Sequence, residues 1–217
     1  MQELDYATSE LASQLRTKFS LSVGDRALLV FFPGLEFTAS LLACFKAGII
    51  AVPVFPPNPR KLRKDLDHFV SIQKSSGAKF ALTHSQYNFA KKIADTARVF
   101  QFDQAIQWPT LQWIVVDGIL SKGKSIVPKS FVPYASKDDD VAFLQYTSGS
   151  TSEPKGVMIT HGNLSHNLTM ITKELQVDTA TINVSWLPQY HDMGLIGEFL
   201  TPIFLFNKFN CACCING

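Results

Sequence analysis

Residues 141–160 read VAFLQYTSGSTSEPKGVMIT, and this stretch decides the fold. The run VAFLQY is apolar and rich in aromatic residues, which predicts a buried strand, and GVMIT predicts another. The segment TSGSTSEP joins the two strands as a loop. A helix is predicted only after the second strand, with Asn163 as its cap and an apolar face formed by Leu164, Leu168, Ile171 and Leu175.

The loop carries the residue types that hold phosphate. Gly149 allows backbone N–H groups to approach anionic oxygens, and Lys155 adds a positive charge. A polar surface loop without special use is the alternative, which the Pro-Lys-Gly ending disfavours. Four hydroxyl donors lie within five residues, at Thr147, Ser148, Ser150 and Thr151.

This loop is not a Walker P-loop. The Walker motif reads G-x-x-x-x-G-K-[ST] and leads from a strand directly into a helix. Here Pro154 replaces the second glycine, Gly156 replaces the hydroxyl residue, and a strand follows. The dinucleotide fingerprint G-x-G-x-x-G is also absent from the stretch. The sequence therefore predicts a phosphate loop of another kind.

Upstream of the loop, predicted strands and helices alternate. Strands are predicted at GDRALLVFF, IIAVPVF, KFALTH and LQWIVVD, and helices at residues 4–19, 34–48, 62–76 and about 86–97. This βαβαβ order predicts an α/β fold with a mostly parallel sheet flanked by helices. Residues 118–140 are the one long connection, and the run FLTPIFLF at residues 199–206 is expected to lie in the buried sheet.

Composition narrows the class of protein. The 217 residues are 46% hydrophobic and 18% charged, which predicts a folded core, and a net charge of +2 argues against a nucleic-acid surface. The basic cluster at residues 60–64 is followed by Asp65 and Asp67, so it is interpreted as a solvated helix face. The N-terminus lacks the pattern of a signal peptide, and the most apolar stretch is interrupted by Lys46 and three prolines. A cytoplasmic protein without a membrane span is expected.

The cysteines predict neither a metal site nor a disulfide scaffold. Cys44 lies in an apolar run and is expected in the core, whereas Cys211, Cys213 and Cys214 crowd into the final CACCING. A zinc site commonly needs two spaced ligand pairs, and no second pair is visible.

The stretch LQYTSGSTSEPKGVMITHGNL resembles the signature of the adenylate-forming superfamily, which contains acyl-CoA synthetases, luciferases and peptide-synthetase adenylation domains. Ser152 stands where the usual form has glycine. CFKAGIIAVPVFPP resembles the second core motif of the superfamily, and SWLPQYHDMGLIG resembles the fourth. The wording of LQYTSGST, VFPPNP and LPQYHDMGLIG is most similar to fatty-acyl-AMP ligases. The resemblance covers residues from about 4 to about 206.

The resemblance implies ATP-dependent activation of a long-chain fatty acid to fatty-acyl-AMP with release of pyrophosphate, followed by transfer to an acyl carrier protein or a polyketide-synthase-type acceptor. It implies that Thr151 lies near Mg²⁺, that His191 lies near the adenylate and the acyl carboxylate, and that Met193 and Gly194 lie beside the acyl entrance. It also implies that the β- and γ-phosphates are enclosed by Thr147, Ser148, Gly149, Ser150, Thr151 and Lys155.

Two alternatives to this function remain open at the level of sequence. The first is a long-chain fatty-acid–CoA ligase, and the second is a non-catalytic nucleotide-binding remnant. For His191, a packed core histidine or a metal-phosphohydrolase His-Asp pair is the competing interpretation.

Residues 1–206 are expected to be the N-terminal part of an adenylation domain, and residues 207–217 an atypical tail from a truncation or an altered reading frame. The superfamily's catalytic lysine and ribose-binding aspartate would lie beyond these residues. The printed residues alone are therefore expected to be inactive.

Overall fold

The computed structural model describes residues 2–57, 62–101, 108–120, 131–147 and 154–207. Within them, six strands form one sheet in the order β4-β3-β1-β2-β5-β6. Strands β1 to β5 are parallel, and β6 runs antiparallel to β5. The predicted mostly parallel sheet is confirmed. The strands are β1 (Arg26–Val30), β2 (Ile50–Pro53), β3 (Phe80–Thr83), β4 (Gln112–Val115), β5 (Val141–Thr147) and β6 (Lys155–Thr160).

Helices cover both faces of the sheet, as apolar parallel strands require. One core, containing Leu11, Leu41 and Leu164, joins α1, α2, α5, α6 and the π-helix to the sheet. The second core, containing Leu66 and Tyr87, joins α3 and α4 to the opposite face. The helices are α1 (Gln2–Thr17), α2 (Leu35–Ala47), α3 (Leu62–Ser76), α4 (Ser85–Gln101), α5 (Asp117–Leu120), α6 (His161–Glu174), a π-helix (Met193–Leu200) and α7 (Thr201–Asn207).

The buried side chain of Lys46 in α2 hydrogen-bonds to residues of α1. The ammonium group of Lys46 is 2.6 Å from the Asp5 carboxylate and also donates to the hydroxyls of Thr8 and Ser9, at 2.8 Å each. With the backbone carbonyl of Asp5 at 3.0 Å, four acceptors surround the charge, which explains how a lysine can lie in the apolar segment predicted as core. In the parts of the chain that are described, no helix combines the length and apolarity needed to cross a membrane.

Two local predictions are wrong. The cap of α6 is Thr160, whose hydroxyl accepts the backbone N–H of Asn163 at 3.1 Å, while the Asn163 side chain accepts the Thr160 N–H at 3.3 Å. Asn163 is therefore the returning member of a capping box and not the cap itself. The run at residues 199–206 is helical and not part of the sheet, since short apolar runs do not distinguish a helix from a strand.

Candidate functional site

The carboxyl ends of β1 and β3 form a switch point of the sheet. From β1 the chain continues through α2 to β2 on one side, and from β3 it continues through α4 to β4 on the other side, with the two helices on opposite faces. In open α/β sheets, such divergence leaves a crevice outside the strand ends, where ligands bind. The residues after β1, the residues after β2, the end of β5 and the segment at residues 188–194 meet at this edge.

The phosphate loop begins and ends at neighbouring positions on the same edge. Thr147, the last residue of β5, pairs with Lys155, the first residue of β6, and both are exposed. The predicted placement of the loop between two strands is confirmed. Four of the predicted phosphate ligands, Ser148, Gly149, Ser150 and Thr151, lie outside the described residues.

Gly156 leaves room for an aromatic ring beside the loop. A Cβ on Gly156 would lie 2.8 Å from the ring of Tyr146, its partner across the β5–β6 ladder. The Tyr146 hydroxyl lies 3.0 Å from the hydroxyl of Ser75 at the end of α3. Glycine at this position therefore allows the ring to cross β6 immediately beside Lys155.

Two glutamine side chains hydrogen-bond the segment at residues 188–194 to the ends of β1 and β5. Gln189 is buried, its Nε2 donates to the carbonyl of Phe32 at 3.1 Å, and its Oε1 accepts the N–H of Gly34 at 3.3 Å. Gln145, two residues before Thr147, donates from Nε2 to the carbonyl of Tyr190 at 3.0 Å. The first glutamine bonds the segment to the end of β1, and the second bonds it to β5.

The ring of Tyr190 extends this contact to β2. It packs edge-on against Phe55, with ring centroids 5.4 Å apart, and burial raises the pKa of its phenol. Phe55 lies two residues after the end of β2 and remains half exposed. The two rings therefore form an aromatic wall at the carboxyl end of β2, and Tyr190 immediately precedes His191 in the chain.

His191, Met193 and Gly194 lie together after this wall. The His191 side chain is 60% exposed, and its Nδ1 lies 2.6 Å from Oδ1 of Asp192. Met193 is exposed at the first position of the π-helix, whereas Gly194 is buried. A Cβ on Gly194 would lie 2.2 Å from the carbonyl oxygen of Pro188, so only glycine permits this close approach.

Sequence reasoning missed both glutamines and His84. A polar residue near the end of the apolar strand VAFLQY was the available signal for Gln145, and Gln189 offered none before its partners were known. His84 follows β3 at the same edge and lies among the rings of Phe31 and Phe32, with centroids 5.8 and 5.3 Å away. Burial lowers its pKa more than the Glu36 and Asp117 carboxylates raise it.

The described residues contain no group of three or more His, Cys, Asp or Glu side chains arranged to hold a metal ion. Mg²⁺ commonly takes its oxygen ligands from phosphates and water, with few protein groups.

Comparison with known proteins identifies what the chain resembles. The profile described as AMP-binding enzyme matches residues 1–206. The chain is 33% identical to the medium-chain-fatty-acid–[acyl-carrier-protein] ligase JamA of Moorena producens, over 93% of this chain and 32% of JamA. It is also 33% identical to the long-chain-fatty-acid–AMP ligase FadD32 of Mycolicibacterium smegmatis, over 83% of this chain and 26% of FadD32. The chain thus spans about a third or less of these relatives.

The fold is similar to a solved structure with bound ligands. A fatty acyl-adenylate ligase from L. pneumophila, in complex with acyl adenylate and pyrophosphate, superposes with a TM-score of 0.75 at 37% identity. The match covers 94% of this chain and 32% of that protein.

Proposed function

Because this chain belongs to the AMP-binding enzyme family, we propose that it serves the ATP-dependent activation of a fatty acid to fatty-acyl-AMP. One observation carries the proposal: the hydrogen bond from Gln145 to the Tyr190 carbonyl. It brings the end of the strand that leads into the phosphate loop next to the segment that holds His191. The residues proposed to bind phosphate and the residue proposed to bind the carboxylate would therefore share one edge of the sheet.

In the proposed reaction, a carboxylate oxygen attacks the α-phosphorus of ATP. A bond forms between these atoms, the bond from the α-phosphorus to its bridging oxygen breaks, and pyrophosphate leaves. Both reactants are anions, so the protein contributes mainly charge neutralisation and alignment. A thiol of the acceptor then attacks the acyl carbon, and AMP leaves.

Lys155 and the loop hydroxyls would hold the β- and γ-phosphates. Thr147 and Lys155 are exposed at the edge where the loop starts and ends, so both can reach a ligand in the crevice. Between them, Ser148, Gly149, Ser150 and Thr151 would supply hydroxyls and backbone N–H groups. Mg²⁺ would be held by phosphate oxygens, with the hydroxyl of Thr151 as the protein contribution.

His191 would face the acyl carboxylate and the adenylate. The exposure of its side chain agrees with a ligand-facing residue and not with a packed core histidine. Exposed Met193 would lie at the acyl entrance. Buried Gly194 would keep the turn behind His191 tight enough for the ring to project.

The acyl chain and the acceptor are the finer parts of the proposal. We propose a long-chain fatty acid and a carrier-protein thiol. The two relatives named above are a medium-chain and a long-chain ligase, and one of them is named for an acyl carrier protein. CoA as the acceptor is a separable alternative.

The test measures acyl-AMP and pyrophosphate in the complete native protein that contains these residues. Octanoic, dodecanoic and hexadecanoic acids are compared, first with ATP and Mg²⁺ alone and then with holo-carrier protein or CoA. We expect acyl-AMP without any acceptor and release of AMP on addition of the carrier protein.

Lys155→Ala should lower the rate of pyrophosphate release, and Lys173→Ala, on the exposed last turn of α6, is the matched control. Turnover that depends on CoA would favour the CoA-ligase alternative. No pyrophosphate release with any acid would refute the function.

A further inference from the structure

Asp192 makes two contacts that the matched motifs do not explain. Its Oδ1 lies 2.6 Å from Nδ1 of His191 and accepts the backbone N–H of Met193 at 2.7 Å. One carboxylate oxygen therefore joins the imidazole ring to the first turn of the π-helix. Both side chains of the pair are more than half exposed, so the contact adds little to stability. Its consequence is the orientation of the ring.

The contact determines which ring nitrogen is available. An exposed histidine can turn about two side-chain torsions and offer either nitrogen to a ligand. With Nδ1 engaged by Asp192, Nε2 is the nitrogen that remains. At metal sites, an equivalent carboxylate partner fixes the tautomer and the orientation of a histidine.

The backbone beneath the pair is held in place. The N–H of His191 donates to the carbonyl of Pro188 at 3.0 Å, and the N–H of Leu195 donates to the carbonyl of His191 at 2.7 Å. The Gln145 hydrogen bond fixes the preceding carbonyl, and the following turn is packed so closely that a Cβ on Gly194 would lie 2.2 Å from the carbonyl oxygen of Pro188. The backbone that carries Asp192 and His191 is therefore hydrogen-bonded to the sheet, so Asp192 can hold the ring in a fixed orientation.

We propose that Asp192 is a positioning residue for the adenylation reaction, holding His191 so that Nε2 points towards the carboxylate of the fatty acid and of the acyl-adenylate. This inference rests on the function proposed above. When the ring is charged, Nε2–H donates to a carboxylate or phosphoryl oxygen. Asp192 itself does not contact the substrate.

Three substitutions separate orientation from folding. Asp192→Ser keeps a side-chain oxygen that can accept the Met193 N–H, but it is too short to hold the imidazole. Asp192→Asn keeps an acceptor at the same place without the charge. Asp178→Ser is the matched control, because Asp178 is also exposed and also accepts a nearby backbone N–H, that of Ala180.

Two readouts are taken from the complete native protein. The first is kcat/KM for the fatty acid in acyl-AMP formation. The second is the ¹⁵N side-chain NMR spectrum, which reports which nitrogen of His191 carries the proton, with His191→Ala identifying the signal. The second readout does not depend on turnover, so failure of the proposed function and failure of the positioning role are distinguishable.

In the neutral form of the ring, we expect wild type and Asp192→Asn to carry the proton on Nδ1, and Asp192→Ser to lose that preference. Asp192→Ser should lower kcat/KM by about 10- to 100-fold, the range seen at metal sites when the partner that orients a histidine is lost. Asp178→Ser should change neither readout. The double variant Asp192→Ser/His191→Ala should have a kcat/KM no lower than that of His191→Ala alone, since both residues act through one ring.

Two results would overturn the role. One is a double variant whose loss equals the product of the single losses, because Asp192 would then act separately from His191. The other is an Asp192→Ser protein that loses the tautomer but keeps its kcat/KM. If wild type forms no acyl-AMP, the proposed function fails, and the spectrum alone then decides the orientation of the ring.

Discussion

Replacing Gln189 by alanine should loosen the attachment of the Pro188–Gly194 segment to β1. The side chain is 2% exposed and makes two hydrogen bonds, to Phe32 and Gly34. Its loss removes both bonds and leaves one carbonyl and one N–H without their partner at the end of the strand. Each such loss costs about 1–1.5 kcal/mol, so the free energy of unfolding should fall by about 2–3 kcal/mol.

In Gln189→Glu, the loss in the free energy of unfolding should depend on pH. A carboxylate has the shape of the amide and can accept from Gly34, but it cannot donate to the Phe32 carbonyl unless it is protonated. Burial and this carbonyl both favour the neutral acid, so the folded-state pKa of the introduced carboxyl group should lie above its unfolded value of about 4.3. The contribution of the protonated acid is then complete below the unfolded pKa and is lost as pH rises towards the folded pKa, by about 1.4 kcal/mol for each pH unit.

Urea unfolding followed by tryptophan fluorescence measures both effects, at pH 4 and at pH 7. Gln112→Glu, at an exposed position of β4, is the control for adding one carboxylate to the sheet. We expect Gln189→Glu to be close to wild type at pH 4 and clearly destabilised at pH 7. Equal losses at the two pH values, or an unchanged Gln189→Ala protein, would refute the role given to these two hydrogen bonds.

Three further predictions follow from single residues. Lys155→Ala should weaken ATP use by about 1–3 kcal/mol, as for a lost charged hydrogen bond, with little change in fatty-acid binding; unchanged KM and kcat for ATP in a pyrophosphate-release assay would contradict it. The pKa of Asp140 is lowered, first by the Lys137 N–H and then by the Tyr134 hydroxyl, so its contribution to stability is present above its unfolded pKa and lost as pH falls through the folded one. Asp140→Asn should therefore flatten the dependence of the urea midpoint on pH between about 5 and 2, and an unaltered slope would argue against this account. Burial raises the pKa of Cys44 to about 12, so alkylation at pH 8 with peptide mapping should modify it only after unfolding, and equal rates in native and unfolded protein would count against it.

Much of the sheet could be predicted from the sequence because parallel strands buried on both faces are short, continuous apolar runs. Segments such as ALLVFF and FALT have no competing pattern, and Gly48, the last residue of the helix predicted at residues 34–48, ends α2 with a φ of +69°. The placement of the loop between Thr147 and Lys155 followed from the same reasoning, since a second apolar run came before any helix signal.

The remaining features depend on contacts between distant parts of the chain. Gln145 and Gln189 acquire their roles only when Tyr190, Phe32 and Gly34 are brought beside them, and local patterns carry no information about such pairs. The π-helix at residues 193–200 and helix α7 share an apolar composition that suits a strand equally well. Their packing against the first core decides the outcome.

The strand order has a consequence for how the molecule folds. Strands β1 and β2 are neighbours in sequence as well as in the sheet, but the pairing of Ala51 with Phe143 joins β2 to β5 across roughly 90 residues. Closing that longer loop costs about 1 kcal/mol more in chain entropy than closing the β1–β2 loop. The β5–β6 pairing is local in sequence, so we expect the docking of this hairpin against β2 to be a late step of folding. The end of β5, where the loop begins, and the ends of β1 and β2 would become neighbours only at that step, and the nucleotide binding proposed above would then report that the pairing of β2 with β5 has formed.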